Sequence, residues 1–369
     1  MPKVTIRRSS YNYDDLRLQL YELLDNCSRS SFGKGSRVVI KPNLLCPAAP
    51  ETAVLTHPLV VRAAAEYVSS KGAKPCISDS PAMGSFDRIL KESGIKEALA
   101  DLDVEYREFK TSISVDIGEP FGRIDMAEDA IKADFIINLA KLKTHSQMLL
   151  TLGVKNTFGC IVGFRKPEWH MRTGVDRKMF ARLLVQIHRV VNPSVTIIDG
   201  ILAMEGNGPG KGGTPKHRGV LLGCDDAVAV DMAVCWMLGV KADRLFTNEA
   251  AKELGLCQEP IRVDGELPIF DDFSLPEIVF LSLGPQGIQK FLRKHLFQRP
   301  DVNDDLCISC GECWNFCPVG AIQKAGDTLS FDYERCIRCY CCIEVCPQGA
   351  LHAIETLTGK LFRKITKKD

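Results

Sequence analysis

Short apolar runs alternate with amphipathic stretches through the first three hundred residues. Met1-Pro2-Lys3-Val4-Thr5-Ile6-Arg7-Arg8 reads as an early strand, and Val38-Val39-Ile40 as a short buried one. A helix opens at Pro58, where proline suits the first turn. Leu59, Val60, Ala63, Ala64, Tyr67 and Val68 recur at helical spacing until Gly72 closes it. Pro75-Cys76-Ile77-Ser78, Phe135-Ile136-Ile137-Asn138-Leu139 and Val195-Thr196-Ile197-Ile198 are further strands. The helix expected over Lys178 to Val191 carries Phe180, Leu183, Leu184, Ile187 and Val191 on one face. Gly219-Val220-Leu221-Leu222 precedes a helix from Ala227 to Leu238, and Pro285 opens a last helix with Ile288, Phe291, Leu292 and Leu296 along one side. Apolar runs between amphipathic helices predict an α/β domain over residues 1–298, a mainly parallel sheet covered by helices.

Arg299-Pro300-Asp301-Val302-Asn303-Asp304-Asp305 breaks this periodicity and reads as a linker. Residues 299–356 then predict a small α+β, ferredoxin-like unit containing an internal repeat: Cys307 to Ile322 and Cys336 to Leu351 follow one pattern, each ending Cys-Pro-x-Gly-Ala and an aliphatic residue. Residues 357–369 form a basic tail with Lys360, Arg363, Lys364, Lys367 and Lys368.

Cysteine usage sharpens the picture. Seven of the sixteen cysteines are scattered, while nine crowd between Cys307 and Cys346, which points to metal binding in a reducing compartment. A net charge of +1 gives no electrostatic case for nucleic acid, and no apolar run approaches the roughly 20 residues that span a bilayer. The start has no apolar signal core, so the expected location is the cytoplasm, with no membrane partner.

Three cysteines spaced by two residues can wrap three corners of an iron–sulfur cubane, and the fourth in such a run reaches the other cluster. That rule assigns Cys307, Cys310, Cys313 and Cys346 to one [4Fe–4S] cluster, and Cys336, Cys339, Cys342 and Cys317 to a second. Pro318 and Pro347 follow the fourth cysteines, so the segment resembles bacterial-type two-cluster ferredoxins rather than a pair of zinc knuckles. Cys341 is surplus and reads as a bystander thiol.

Polar residues gather after the expected strands, where open α/β sheets bind ligands. Lys41-Pro42-Asn43, Ser78-Asp79-Ser80, Lys141-Leu142-Lys143-Thr144-His145, Gly153-Val154-Lys155-Asn156 and Asp199-Gly200 with the Glu205–Gly210 loop resemble the family called domain of unknown function 362, over roughly residues 1–290. The resemblance implies a domain identity and a pocket, and its members often carry a ferredoxin domain. Lys41, Asn43, Asp79, Lys141, Lys155 and Asn156 are the candidate binding residues for a small anion. Lys143, His145, Asp199 and Glu205 are the candidate acid–base residues, and His145 and His170 could also ligate a metal. Gly208-Pro209-Gly210-Lys211-Gly212-Gly213 fits a dinucleotide fingerprint in letters only, because Thr214-Pro215 follows where a helix should open; it reads as a flexible lid or anion nest.

Three functions fit. One is an iron–sulfur oxidoreductase passing electrons between a carrier and a small anionic substrate. The others are an electron-transfer module that only docks a redox partner, and a non-redox enzyme with structural or sensory clusters. No flavin, nicotinamide or molybdenum signature is visible, and the strand-end polar groups favour the first over the second.

Overall fold

The computed structural model describes residues 1–163, 165–173, 176–276, 298–326, 328–356 and 358–359. The helix expected from Pro285 and nearly all of the basic tail lie outside them.

Among the described residues of the large domain there are eleven strands: β1 (Lys3–Arg8), β2 (Arg37–Pro42), β3 (Lys74–Ile77), β4 (Glu105–Tyr106), β5 (Ser112–Asp116), β6 (Arg123–Ala127), β7 (Phe135–His145), β8 (Leu149–Thr151), β9 (Val195–Gly206), β10 (Gly213–Cys224) and β11 (Arg262–Asp264). Nine form one sheet in the order β11-β1-β10-β9-β7-β2-β3-β4, with β8 paired to β7, while β5 and β6 make a separate hairpin. The run β9-β7-β2-β3-β4 is parallel throughout, as is β1-β11; only the pairings of β10 with β1 and β9, and of β8 with β7, are antiparallel. The sheet is therefore mainly parallel.

Successive strand residues point to opposite faces, and both faces are buried. Val38 and Ile40 pack with Leu16, Leu20, Val60 and Val61 from the Tyr13–Cys27 and Pro58–Ser70 helices, whereas Val39 and Ile136 pack with Phe180, Leu183 and Ile187 from the Arg177–Val191 helix. A fully buried side chain of this kind contributes about 1.5–3 kcal/mol, which is why Val/Ile-rich runs mark these strands. Local signals set the helix ends. His57 Nδ1 accepts from Leu59 N at 3.2 Å in front of Pro58, and Gly72, at φ +80°, turns the chain after Ser70. Asp176 accepts from Lys178 N and Met179 N, and Asn192, at φ +45°, ends that helix.

The expected linker is a correction. Arg299–Val302 is strand β12, and β15 (Leu351–Ile354) pairs with it antiparallel, so these residues open the cysteine domain and close its ends together. Between them lie the hairpin β13 (Ile322–Ala325) and β14 (Thr328–Phe331) and two short helices, Glu312–Asn315 and Cys341–Glu344. The sequence repeat is a structural one. Ser309 and Arg338 share positive φ, as do Gly311 and Tyr340, so both cysteine loops curl alike.

Candidate functional site

Strand β7 carries the first surprise. Instead of ending at Leu139, it runs on to His145 and is buried at every residue. Lys141, Lys143 and His145 are thus strand residues on the face of Ile137 and Leu139, inside the protein rather than in a loop. Lys141 Nζ lies 2.7 Å from Asp199 Oδ2 and donates to Tyr11 Oη at 3.1 Å. Asp199 also accepts from Tyr11 Oη at 2.9 Å and His57 N at 3.0 Å, so its oxygens tie four segments together. Lys143 Nζ donates to Val54 O at 2.7 Å, and burial pulls its pKa down to about 7. Glu205 faces Lys216 and Arg218 at 3.4 and 3.5 Å and accepts from Ser274 N. The four residues expected to do acid–base chemistry are built into the scaffold, each in its own contacts, and are not gathered around one space.

A different set gathers. Lys41, on β2, pairs with Asp79 at 2.9 Å, and both are almost fully buried. Asp79 also accepts from Leu44 N and Ser80 N. A methyl group on Gly159 would sit 2.2 Å from Asp79 Oδ1 and 2.6 Å from Lys41 Nζ, so only glycine lets the pair form there. Asn43 donates to Asn156 Oδ1 at 2.9 Å, and Asn156 donates on to Asn138 Oδ1 at 2.8 Å. The short Gly153–Asn156 helix that presents Lys155 and Asn156 is held at its start by Asp231, which accepts from Gly153 N and Val154 N at 2.8 and 3.1 Å. Burial pushes the Asp231 carboxyl up to about 8.

These residues line a cavity of about 90 Å³ with Ser80, Lys166 and His170 from the large domain, and with Phe316, Cys341, Glu344 and Val345 from the cysteine domain. Lys166 Nζ donates to Ser80 Oγ at 3.0 Å and to Ser80 O, and burial lowers its pKa to about 8. Burial likewise holds His170 down at about 4, and its Nδ1 is buried without a hydrogen-bond partner among the described residues. The Lys155 ammonium also makes no hydrogen bond or ion pair among them, and burial lowers its pKa. Lys41, Asn43, Asp79, Lys155 and Asn156 are thus brought together as expected from their strand-end positions; Lys141 is not. The sequence reading missed Lys166 and Glu344, and named Ser80 only as part of its strand-end motif. One faint signal existed for Glu344, a carboxylate inside an otherwise apolar and cysteine-rich turn.

The Gly-rich loop is no free lid. Gly208 N donates to Thr144 Oγ1 at 3.2 Å, and Gly208 O accepts from Ser146 Oγ at 2.8 Å. Gly210 lies against the backbone of Ile343 and Glu344, and a methyl on Gly349 would meet Lys211 backbone atoms at 2.8 Å. The loop is the seat of the cysteine domain.

Within that domain Cys307, Cys310, Cys313 and Cys346 line one small cavity, with Trp314, Leu329 and Leu351 behind them. Cys313 lies close to Cys346, Cys310 and Cys307, and Cys342 lies close to Cys339, Cys336 and Cys317 as well as to Cys313. The fourth cysteine of each run therefore stands beside the other run's three. Cys317 Sγ accepts from Ala321 N and Cys346 Sγ from Ala350 N, both at 3.2 Å. Four cysteines lining one small space fit a cubane. Among the described residues no three His, Cys, Asp or Glu side chains converge closely enough to hold a single metal ion.

The domain of unknown function DUF362 matches residues 38–236, which include every cavity residue of the large domain. The chain belongs to the DUF362 family. A 4Fe–4S dicluster domain matches residues 299–347, which contain all eight paired cysteines, so this DUF362 protein carries an iron–sulfur, electron-transfer type of domain. A thylakoid-associated protein of Synechocystis sp. is 34% identical over 304 residues, covering 80% of this chain and 94% of that relative. Among solved structures, a Thermotoga maritima protein is 13% identical over 52% of this chain and 51% of its own, with a TM-score of 0.35. The lactate racemase apoprotein of Thermoanaerobacterium thermosaccharolyticum is 12% identical over 53% and 49%, with a TM-score of 0.34. This chain spans about half the length of those two structures. No helix among the described residues of the DUF362 protein is long and apolar enough to cross a membrane.

Proposed function

We propose that this DUF362 protein is an iron–sulfur oxidoreductase that exchanges electrons with a small anionic substrate in the cavity between its two domains. Cys307, Cys310, Cys313 and Cys346 would hold one [4Fe–4S] cluster and Cys336, Cys339, Cys342 and Cys317 the other. One observation carries the reading: Phe316, Cys341, Glu344 and Val345, the chain neighbours of Cys317, Cys342 and Cys346, form one wall of a cavity whose other wall holds Lys41, Lys155 and Lys166. A module that merely docked a carrier would have no use for such a cationic recess.

When bound, each cluster supplies a one-electron step. Two electrons taken singly from a one-electron carrier protein match a two-electron reduction of the substrate, which also takes up two protons. Lys166 Nζ, at a pKa of about 8, is placed to hold one of these. Lys155 would orient the anion, and Phe158 and Phe316 give the space an apolar side.

The test is anaerobic reconstitution, with about eight iron and eight sulfide expected per chain, then reduction and addition of small carboxylates while the cluster absorbance is followed. Reoxidation by some carboxylates, lost in Lys166→Met at unchanged iron content, supports the reading. Reduced clusters indifferent to every carboxylate that demonstrably binds would overturn it.

A further inference from the structure

Which anion the cavity accepts is written in its charges and unused hydrogen bonds. Its ionisable lining is Lys41, Lys155 and Lys166 against Asp79 and Glu344, with His170 neutral. Lys41 and Asp79 cancel each other at 2.9 Å. That leaves Lys155 and Lys166, neither of them ion-paired among the described residues. A buried ammonium without a counter-charge is costly, and an anion seated beside it removes that cost.

The donors agree. Lys155 has no hydrogen-bond partner among the described residues, and the buried Nδ1 of His170 has none either. Lys166 spends two N–H groups on Ser80 and keeps a third. A carboxylate offers about four acceptor sites, enough for all three donors. The remaining lining is apolar: Leu44, Leu45, Phe158, Phe316 and Val345 among others. An inorganic oxyanion would set its polar oxygens against those walls, which cannot hydrogen-bond to them.

We infer that the cavity takes a small monocarboxylate with an apolar body, its carboxylate toward Lys155, Lys166 and His170 and its body against Phe158 and Phe316. This rests on the junction cavity being the ligand site, as proposed above, but not on electrons reaching the ligand.

The reconstituted, oxidised full chain is titrated calorimetrically with butyrate, with its neutral isostere butyramide, and with sulfate. Butyrate should bind at least about tenfold more tightly than either, because it alone offers charge-assisted hydrogen bonds to the donors and an apolar body to the walls. Lys155→Met should lose about tenfold in butyrate affinity with iron content unchanged. His170→Phe keeps a ring against Phe158 and Phe180 while deleting Nδ1, and should weaken butyrate severalfold, so it serves if the lysine variant fails to fold. Sulfate binding as tightly as butyrate, butyramide matching butyrate, or silence from all three would overturn the ligand class. Butyrate binding without reoxidation of reduced clusters supports the class and counts only against the oxidoreductase reading.

Discussion

The Nε2 atom of His145 stands 2.8 Å from Oε1 of Glu344, joining the end of β7 to the second cysteine loop. His145 Nδ1 accepts from Gln147 N and Met148 N at 3.1 and 3.2 Å, so the ring proton belongs on Nε2, toward the carboxylate. Burial holds the imidazole at about 4, hence neutral. Burial works against ionisation of Glu344 too, but His145, Lys155 and His170 around it keep its pKa well below the usual carboxylate range. The contact is a neutral donor facing a buried anion.

His145→Ala should therefore loosen the junction rather than abolish chemistry. It strips a buried carboxylate of a neighbour, at a cost of about 1–3 kcal/mol. Hydrogen exchange should quicken at Ile343–Val345 and at Gly208–Gly212 while iron content stays the same. His145→Gln, which keeps a donor, should restore part of the protection. Unchanged exchange in the alanine variant would show that the contact does not hold the domains.

Cys341→Ser should keep full iron and sulfide, whereas Cys342→Ser and Cys317→Ser should each damage the same cluster. Overlaying the two repeats puts Cys342 on Cys313 and Cys341 on Glu312, a position with no thiol in the other copy. Iron analysis with electron paramagnetic resonance decides it. Loss of iron in the Cys341 variant but not in the Cys342 variant would reverse the assignment.

The clusters should differ in reduction potential, the second being easier to reduce. Arg338, between Cys336 and Cys339, is 5% exposed, and its Nε and Nη1 lack hydrogen-bond partners among the described residues. A buried positive charge favours the added electron. The first cluster's loop has Asp304, Asp305 and Glu312 near it and a solvent-exposed Cys310. A redox titration of Arg338→Gln should show the second midpoint falling and the first unmoved. Two unmoved midpoints would refute the charge argument.

Acid should destabilise the fold in a defined window. Burial holds His57, His145, His170 and His188 each at about 4, against 6.5 for an ordinary imidazole. The unfolded chain therefore binds more protons between these values. The contribution of these rings is complete above pH 6.5 and falls as pH drops toward 4; they take up about four protons on unfolding, and Asp231, protonated in the fold below about 8, releases one, leaving a net uptake of about three. Urea midpoints recorded from about pH 7.5 to 5.5 should decline accordingly, and His188→Gln should shallow the slope by about one proton. A flat profile would mean that these rings are not held neutral.

The strand centres were legible because each feeds apolar side chains to both helical layers, as Val38, Val39 and Ile40 do. The strand ends were not. Lys141 is satisfied by Asp199, Lys143 by Val54 O and Asp199 by Tyr11, partners 58, 89 and 188 positions away, which no local pattern can show. Lysines in a row read as solvated until such partners are known. For the cavity, Lys41, Asn43 and Asp79 could be found because strand ends collect polar groups, and Lys155 and Asn156 because their segment matches the family pattern. Glu344 gave only its faint local signal, since the seating of one domain on the other is what brings it there. Likewise Asp231 looks like an anomaly in the apolar Ala227–Met237 helix until the amides of Gly153 and Val154 are seen above it.

Gly349 packs on the backbone of Lys211 and Gly212, and Gly210 on that of Ile343 and Glu344, with no room for a methyl group on Gly349. A seam made of main chain has no rotamers to adjust. The two parts are consequently not interchangeable modules. A ferredoxin-type unit grafted in place of residues 299–356 would need glycine where Gly349 stands, and the same turn geometry, simply to sit down. Drift on one side of the seam is limited by the other, and the pair can change only together.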